Sequence, residues 1–149
     1  MSNAIEITIL GEPSSKQSAR FRIAKNKAGK QFISSYQPKE IVNKEATIAA
    51  VVQSQLPKDF IPFDCPIMAT VSYIFPIPKS MPKSKVKAIT EGNIVYKDTK
   101  PDLSDNLNKG LFDALAGIVY INDSRVVSLM AVKYYGLVPK TIISFQKVV

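Results

Sequence analysis

The sequence contains no histidine and a single cysteine, Cys65. Together these absences exclude Ser-His-Asp and Cys-His catalysis, an internal disulfide framework and a multi-cysteine zinc site, and they remove the commonest metal ligand and acid-base group. Any hydrolytic chemistry must then rest on carboxylates, lysine, tyrosine or a hydroxyl. Cys65, between Asp64 and Pro66, reads as a partly buried, inert thiol. Long apolar runs are also missing. No segment approaches the roughly 20 apolar residues that span a bilayer, and no basic stretch followed by an apolar run opens the chain. The expectation is a cytoplasmic protein with no membrane partner.

What is present is a chain of 149 residues, 46% of them apolar, enough to fill one core, so a single domain over residues 1–149 is expected. Twenty Lys and Arg against 12 Asp and Glu leave a net charge of +8. Such an excess favours a polyanionic partner through long-range attraction, with nucleic acid the leading candidate and an unspecialised basic surface the alternative.

Apolar and polar residues alternate over Ile5–Leu10, which predicts a half-buried strand ending at Gly11. Between Lys16 and Lys30 there are six basic residues (Lys16, Arg20, Arg22, Lys25, Lys27 and Lys30) and no acidic one, with Gly29 at a turn. This basic hairpin or loop suits phosphate contact, and a solvated loop without a partner is the plainer alternative. Val42, Ala46, Ala49, Val52 and Leu56 keep a helical period over Pro38–Leu56, and Pro57 ends it. Alternation returns over Pro66–Phe75, closed by Pro76 and Pro78. A lysine-rich stretch follows, with Lys79, Lys83, Lys85 and Lys87 around a short helix over Lys83–Thr90, extended by Lys97 and Lys100. It offers a second phosphate-contacting surface, with Lys83 and Lys85 as candidates.

Leu107, Leu111, Ala114 and Leu115 predict a helix over Leu107–Ala116, with Asp105 as N-cap and Gly117 as its stop. Strands are expected over Ile118–Ile121 and Val126–Tyr135 around an Asn122-Asp123-Ser124 turn, and a last one over Thr141–Val148. The predicted class is α+β: a mixed, mostly antiparallel sheet packed by two main helices.

Between Asp102 and Asp123 the local charge opposes the global one: Asp102, Asp105, Asp113 and Asp123 stand with Lys109 in a chain that is otherwise basic. Clustered carboxylates repel phosphate unless a divalent cation lies between them, and a hard ion such as Mg²⁺ takes one or two carboxylates together with substrate phosphate and water. Lys109, one turn into the helix, suits the charge that develops in phosphodiester cleavage. Plainer roles exist for each: Asp105 as a cap, Asp123 in a turn, Asp102 as loop polarity, and Lys109 with Asp113 as a surface pair.

The run Lys100-Pro101-Asp102-Leu103-Ser104-Asp105-Asn106-Leu107-Asn108-Lys109, then Phe112-Asp113-Ala114-Leu115-Ala116-Gly117, then Asn122-Asp123-Ser124-Arg125-Val126, resembles the signature of RusA-like crossover-junction endodeoxyribonucleases. Gly11-Glu12-Pro13 with Lys16, Arg20 and Phe21 is similar to that family's basic N-terminal motif. The resemblance implies a RusA-like fold and a homodimer, often encoded by phages or prophages, that cuts four-way DNA (Holliday) junctions in recombination and repair using Mg²⁺ or Mn²⁺. It assigns Asp102, Asp105 and Asp123 as metal ligands and Lys109 as the catalytic lysine. Lys16, Arg20, Arg22, Lys25, Lys83 and Lys85 would contact the DNA backbone. Two departures stand out: the family's Asp-x-Asp-Asn spacing is longer by one residue at Asp102-Leu103-Ser104-Asp105-Asn106, and Asn122 replaces the first of an Asp-Asp pair. The rival reading is a structure-selective DNA-binding protein of the same fold without catalysis.

Overall fold

The computed structural model describes the backbone of residues 3–14, 20–25, 31–36 and 39–148, and side-chain surroundings for 3–14 and 47–148. Four strands form a sheet in the order β1 (Ala4–Leu10), β6 (Lys140–Lys147), β4 (Ile67–Pro76), β5 (Val126–Gly136). β6 runs antiparallel to both β1 and β4, whereas β5 is parallel to β4. Parallel neighbours require a crossover rather than a hairpin. Here the crossover carries α2 (Lys83–Thr90), a π-helical turn (Leu103–Asn108) and α3 (Lys109–Leu115), so the whole acidic segment lies within it. The class is α+β with a mixed, mostly antiparallel sheet, as the periodicities predict.

Strand alternation sets the core. Ile67, Ala69, Val71, Tyr73 and Phe75 of β4 share one face with Ile143 and Phe145 of β6 and Ile7 of β1, and all are buried. Against that face lie Val52 of α1 (Lys39–Gln55) and Leu107, Leu111, Phe112 and Leu115 of the crossover. Phe145 meets Phe112 and Tyr120 edge-on at centroid distances of 6.2 and 5.8 Å. Each fully buried aliphatic or aromatic side chain of this kind contributes about 1.5–3 kcal/mol.

The two sheet edges are treated differently. At β1 the Gln55 side chain of α1 donates to the Thr8 carbonyl (2.6 Å) and accepts from the Thr8 N–H (3.0 Å), so an amide stands in for a neighbouring strand. At β5 the far half is covered by residues 95–97, through Lys97 N–H to Lys133 O (3.1 Å) and Tyr135 N–H to Val95 O (3.0 Å). The near half carries exposed Val127, Leu129 and Met130.

The strand expected over Ile118–Ile121 is instead a tight return. Gly117, at φ +83°, leaves the helix and donates to Tyr120 O at 2.7 Å, and the segment meets Phe63 through single bonds on either side (Phe63 N–H to Val119 O, 2.8 Å; Ile121 N–H to Phe63 O, 3.0 Å). A turn closed so soon after the helix leaves no length for a ladder. The basic segment does contain a hairpin, β2 (Arg20–Lys25) paired antiparallel with β3 (Gln31–Tyr36). Arg20, Arg22 and Lys25 are in β2, while Lys16 and the Gly29 turn lie outside the described residues.

Candidate active site

Helical winding begins earlier than the sequence predicts. Asp102, with extended backbone (φ −68°, ψ 139°), takes the N-cap position, and Asp105 falls inside the first turn rather than capping it. The reason lies in the leucines. Leu103, Leu107, Leu111 and Leu115 recur every four residues and all pack on the core. An ordinary α-helix rotates such a series away from one line, whereas a wider first turn keeps Leu103 over Leu107. The π geometry is visible in the Leu107 N–H, which reaches back five residues to Asp102 O at 3.1 Å. With the leucines inward, Asp105, Lys109 and Asp113 are exposed along the outer side.

Three side chains fix this turn. Asn106 Oδ1 accepts the Asp102 N–H at 3.3 Å, and the Tyr73 hydroxyl donates to Asn108 Oδ1 at 2.7 Å. The Lys133 ammonium donates to the carbonyls of Thr99 (2.6 Å) and Pro101 (2.8 Å), directly ahead of Asp102. Lys97 lies between the rings of Phe75 and Tyr135, 5.2 and 5.3 Å from their centroids, and donates to Thr99 Oγ1 at 2.8 Å. Lys97, half-buried, thus makes contacts within the fold. Burial pushes the Tyr73 phenol up from its ordinary value, so it remains a donor.

Asp123 begins a short 3₁₀ turn (Asp123–Arg125) into β5, capped by Asn122, whose side chain accepts the Ser124 N–H at 2.9 Å. Arg125 ties the turn to Asp64 Oδ1 through Nε (3.1 Å) and Nη2 (2.9 Å). Tyr120, buried below, donates to Phe112 O at 2.6 Å. Its phenol is pushed up chiefly by burial, and the charges of Asp123 and Asp113 add to the shift. Asp102 and Asp105 stand at the start of the π turn, and Asp123 stands at the entry to β5.

Among the described residues, no group of three or more Asp, Glu or Cys side chains is close enough to hold a metal ion. The three-carboxylate group expected from the sequence is therefore not preassembled among the described residues. The donor chemistry still suits a hard cation: Asp102, Asp105 and Asp123 are exposed, and no ion pair or side-chain hydrogen bond between described residues engages their carboxylates or the Lys109 ammonium. Lys83 and Lys85 are exposed on α2, and Lys87 pairs with Glu91 at 3.9 Å.

A family model for the endodeoxyribonuclease RusA matches residues 11–146. The chain belongs to the RusA family. It is also 30% identical over 147 residues to the uncharacterized protein YqaN of Bacillus subtilis (strain 168), with 98% of each chain covered. In this RusA-family chain the widened turn carries Asp105 one turn ahead of Lys109, and such turns are frequent at functional sites. Sequence reasoning missed Tyr73 and Lys133. Tyr73 reads as one more core residue of an alternating strand; Lys133 left a trace, as the lone charge within Val126–Tyr135 on a strand otherwise apolar or small. No helix of the described residues is long and apolar enough to cross a membrane.

Proposed function

We propose that this RusA-family chain is a divalent-metal-dependent endodeoxyribonuclease that resolves four-way DNA junctions by phosphodiester hydrolysis. The observation that carries the reading is the pair of exposed carboxylates, Asp102 and Asp105, on a π turn with Lys109 exposed one turn on, in a chain of net charge +8. On a surface built to approach phosphate, such carboxylates weaken binding unless a cation sits between the two.

Asp102, Asp105 and Asp123 would hold the metal, Mg²⁺ or Mn²⁺, together with DNA phosphate. When bound, such an ion polarises the scissile phosphate and acidifies a water. Lys109 places its ammonium against a non-bridging oxygen, where it acts most strongly as charge builds in the transition state. Lys16, Arg20, Arg22, Lys25, Lys83 and Lys85 position the DNA backbone without reading its sequence. Because the carboxylates are not gathered in the free chain, the metal binds weakly alone and more tightly with junction present.

The protein works as a homodimer in the cytoplasm. The uncovered half of the β5 edge, with Val127, Leu129 and Met130 exposed, supports association there, since an apolar edge paired with its own copy about a two-fold axis is self-complementary.

A non-catalytic junction-binding protein is the second reading, favoured by the lack of a preassembled three-carboxylate group among the described residues. A synthetic four-way junction incubated with Mg²⁺ or Mn²⁺ separates the two. Cutting that is abolished by Asp105→Asn and by Asp123→Asn, with junction binding retained, supports the nuclease. Tight metal-independent binding with no nicked product at any metal concentration supports the binding protein.

A further inference from the structure

Residues 73 and 133 face each other across β4 and β5 in the sheet register, so their side chains stand next to each other on the same sheet face. That face looks toward the crossover. From it Lys133 reaches the carbonyls of Thr99 and Pro101, and Tyr73 reaches Asn108 Oδ1. The two contacts bracket the segment that carries Asp102 and Asp105 and ends against Lys109. From these contacts we infer that Tyr73 and Lys133 are positioning residues, which together set the separation and orientation of the carboxylates and of Lys109. The inference rests on the proposed metal-dependent reading of that segment.

The chemistry of the two contacts fits the role. Lys133 is the only charged residue of β5 and is half-buried, where an ammonium is costly unless its protons are taken up. Two carbonyl oxygens at short distance take up two of them. These acceptors belong to residues 99 and 101, so the bonds fix the backbone directly before Asp102 rather than any side chain. Lys97 reinforces the same point through Thr99 Oγ1. At the other end, Asn108 Oδ1 accepts a hydrogen bond from the Tyr73 hydroxyl immediately before Lys109, and Tyr73 is buried in the centre of the sheet. A rigid strand pair thus holds both ends of a wide turn, the arrangement by which a site is kept in register from beneath.

Neither residue touches the proposed substrate, so the test must separate positioning from mere stability. The full-length protein is compared with Lys133→Met, Lys133→Arg and Tyr73→Phe by amide hydrogen exchange without metal, by Mn²⁺ binding followed by electron paramagnetic resonance, and by junction cleavage against Mn²⁺ concentration. For Lys133→Met, exchange of amides 102–107 should rise at least tenfold while those of β4 and β6 stay within twofold. Mn²⁺ should bind at least fivefold more weakly, kcat should fall with little change in KM, and Lys133→Arg should recover most of the loss. Tyr73→Phe, which keeps the ring, should speed exchange around Asn108 and lower kcat without moving the Mn²⁺ dependence.

Exchange that rises evenly across the sheet, or amides 102–107 that do not respond, would overturn the inference. So would unchanged Mn²⁺ binding in Lys133→Met. If the unaltered protein cuts no junction at any Mn²⁺ concentration, the function reading fails instead, and the exchange and Mn²⁺-binding results still decide the positioning role.

Discussion

Lys109 carries the sharpest expectation at the scale of a single residue. Its ammonium stands exposed on the outer side of α3, and no ion pair among the described residues depends on its charge. Lys109→Ala should leave stability within about 0.5 kcal/mol, as for a surface position. The effect belongs to the reaction: kcat for junction cleavage should fall by roughly 10²–10³, the range for losing one preorganised charge donor, while junction affinity changes less than threefold. Equal losses in kcat and affinity would instead make Lys109 a binding residue. Arg125 shows the contrast. Its link to Asp64 joins two partly exposed side chains, so its energy is small and its use is to seat the turn that presents Asp123.

At the scale of elements, the β1 edge gives a test independent of chemistry. Gln55→Ala removes both bonds to Thr8 and should cost about 1–2 kcal/mol, near the net value of two hydrogen bonds. The melting temperature should drop by roughly 3–6 °C, and a freed β1 edge should raise aggregation on heating. A melting temperature unchanged in differential scanning calorimetry would show that α1 shields the edge by packing alone. Elements also mark how far sequence could be read. β1, α1, β4, α2, β5 and β6 follow from alternation, helical period and proline stops because each buries one regular stripe. The π turn did not, because its cause is not local: the leucines at 103, 107, 111 and 115 must face a sheet built from residues far away in sequence. Gly117 was legible as a stop, but the strand expected after it lacked the length to pair. For the candidate site, the sequence singles out Asp102, Asp105, Lys109 and Asp123 as candidates, and the three-carboxylate grouping expected of them is not formed among the described residues. How close carboxylates from the two ends of the crossover come depends on tertiary packing, which no spacing in the sequence encodes.

For the molecule as a whole, charge and edge make separate demands. A net charge of +8 opposes association of two copies unless apolar contact offsets it, and the near half of β5 exposes such surface at Val127, Leu129 and, most of these three, Met130. Sedimentation equilibrium should give a dimer for the unaltered protein and a monomer for Met130→Lys, with the circular dichroism spectrum unchanged. A variant that stays dimeric would move the interface elsewhere. The strand order has one more consequence. β6 follows β1 and β4 in sequence yet lies between them, and without it those two have no common partner. A nascent chain on the ribosome therefore carries every candidate carboxylate before β6 joins β1 to β4, so the scaffold that seats them closes only after the residues it seats have been made.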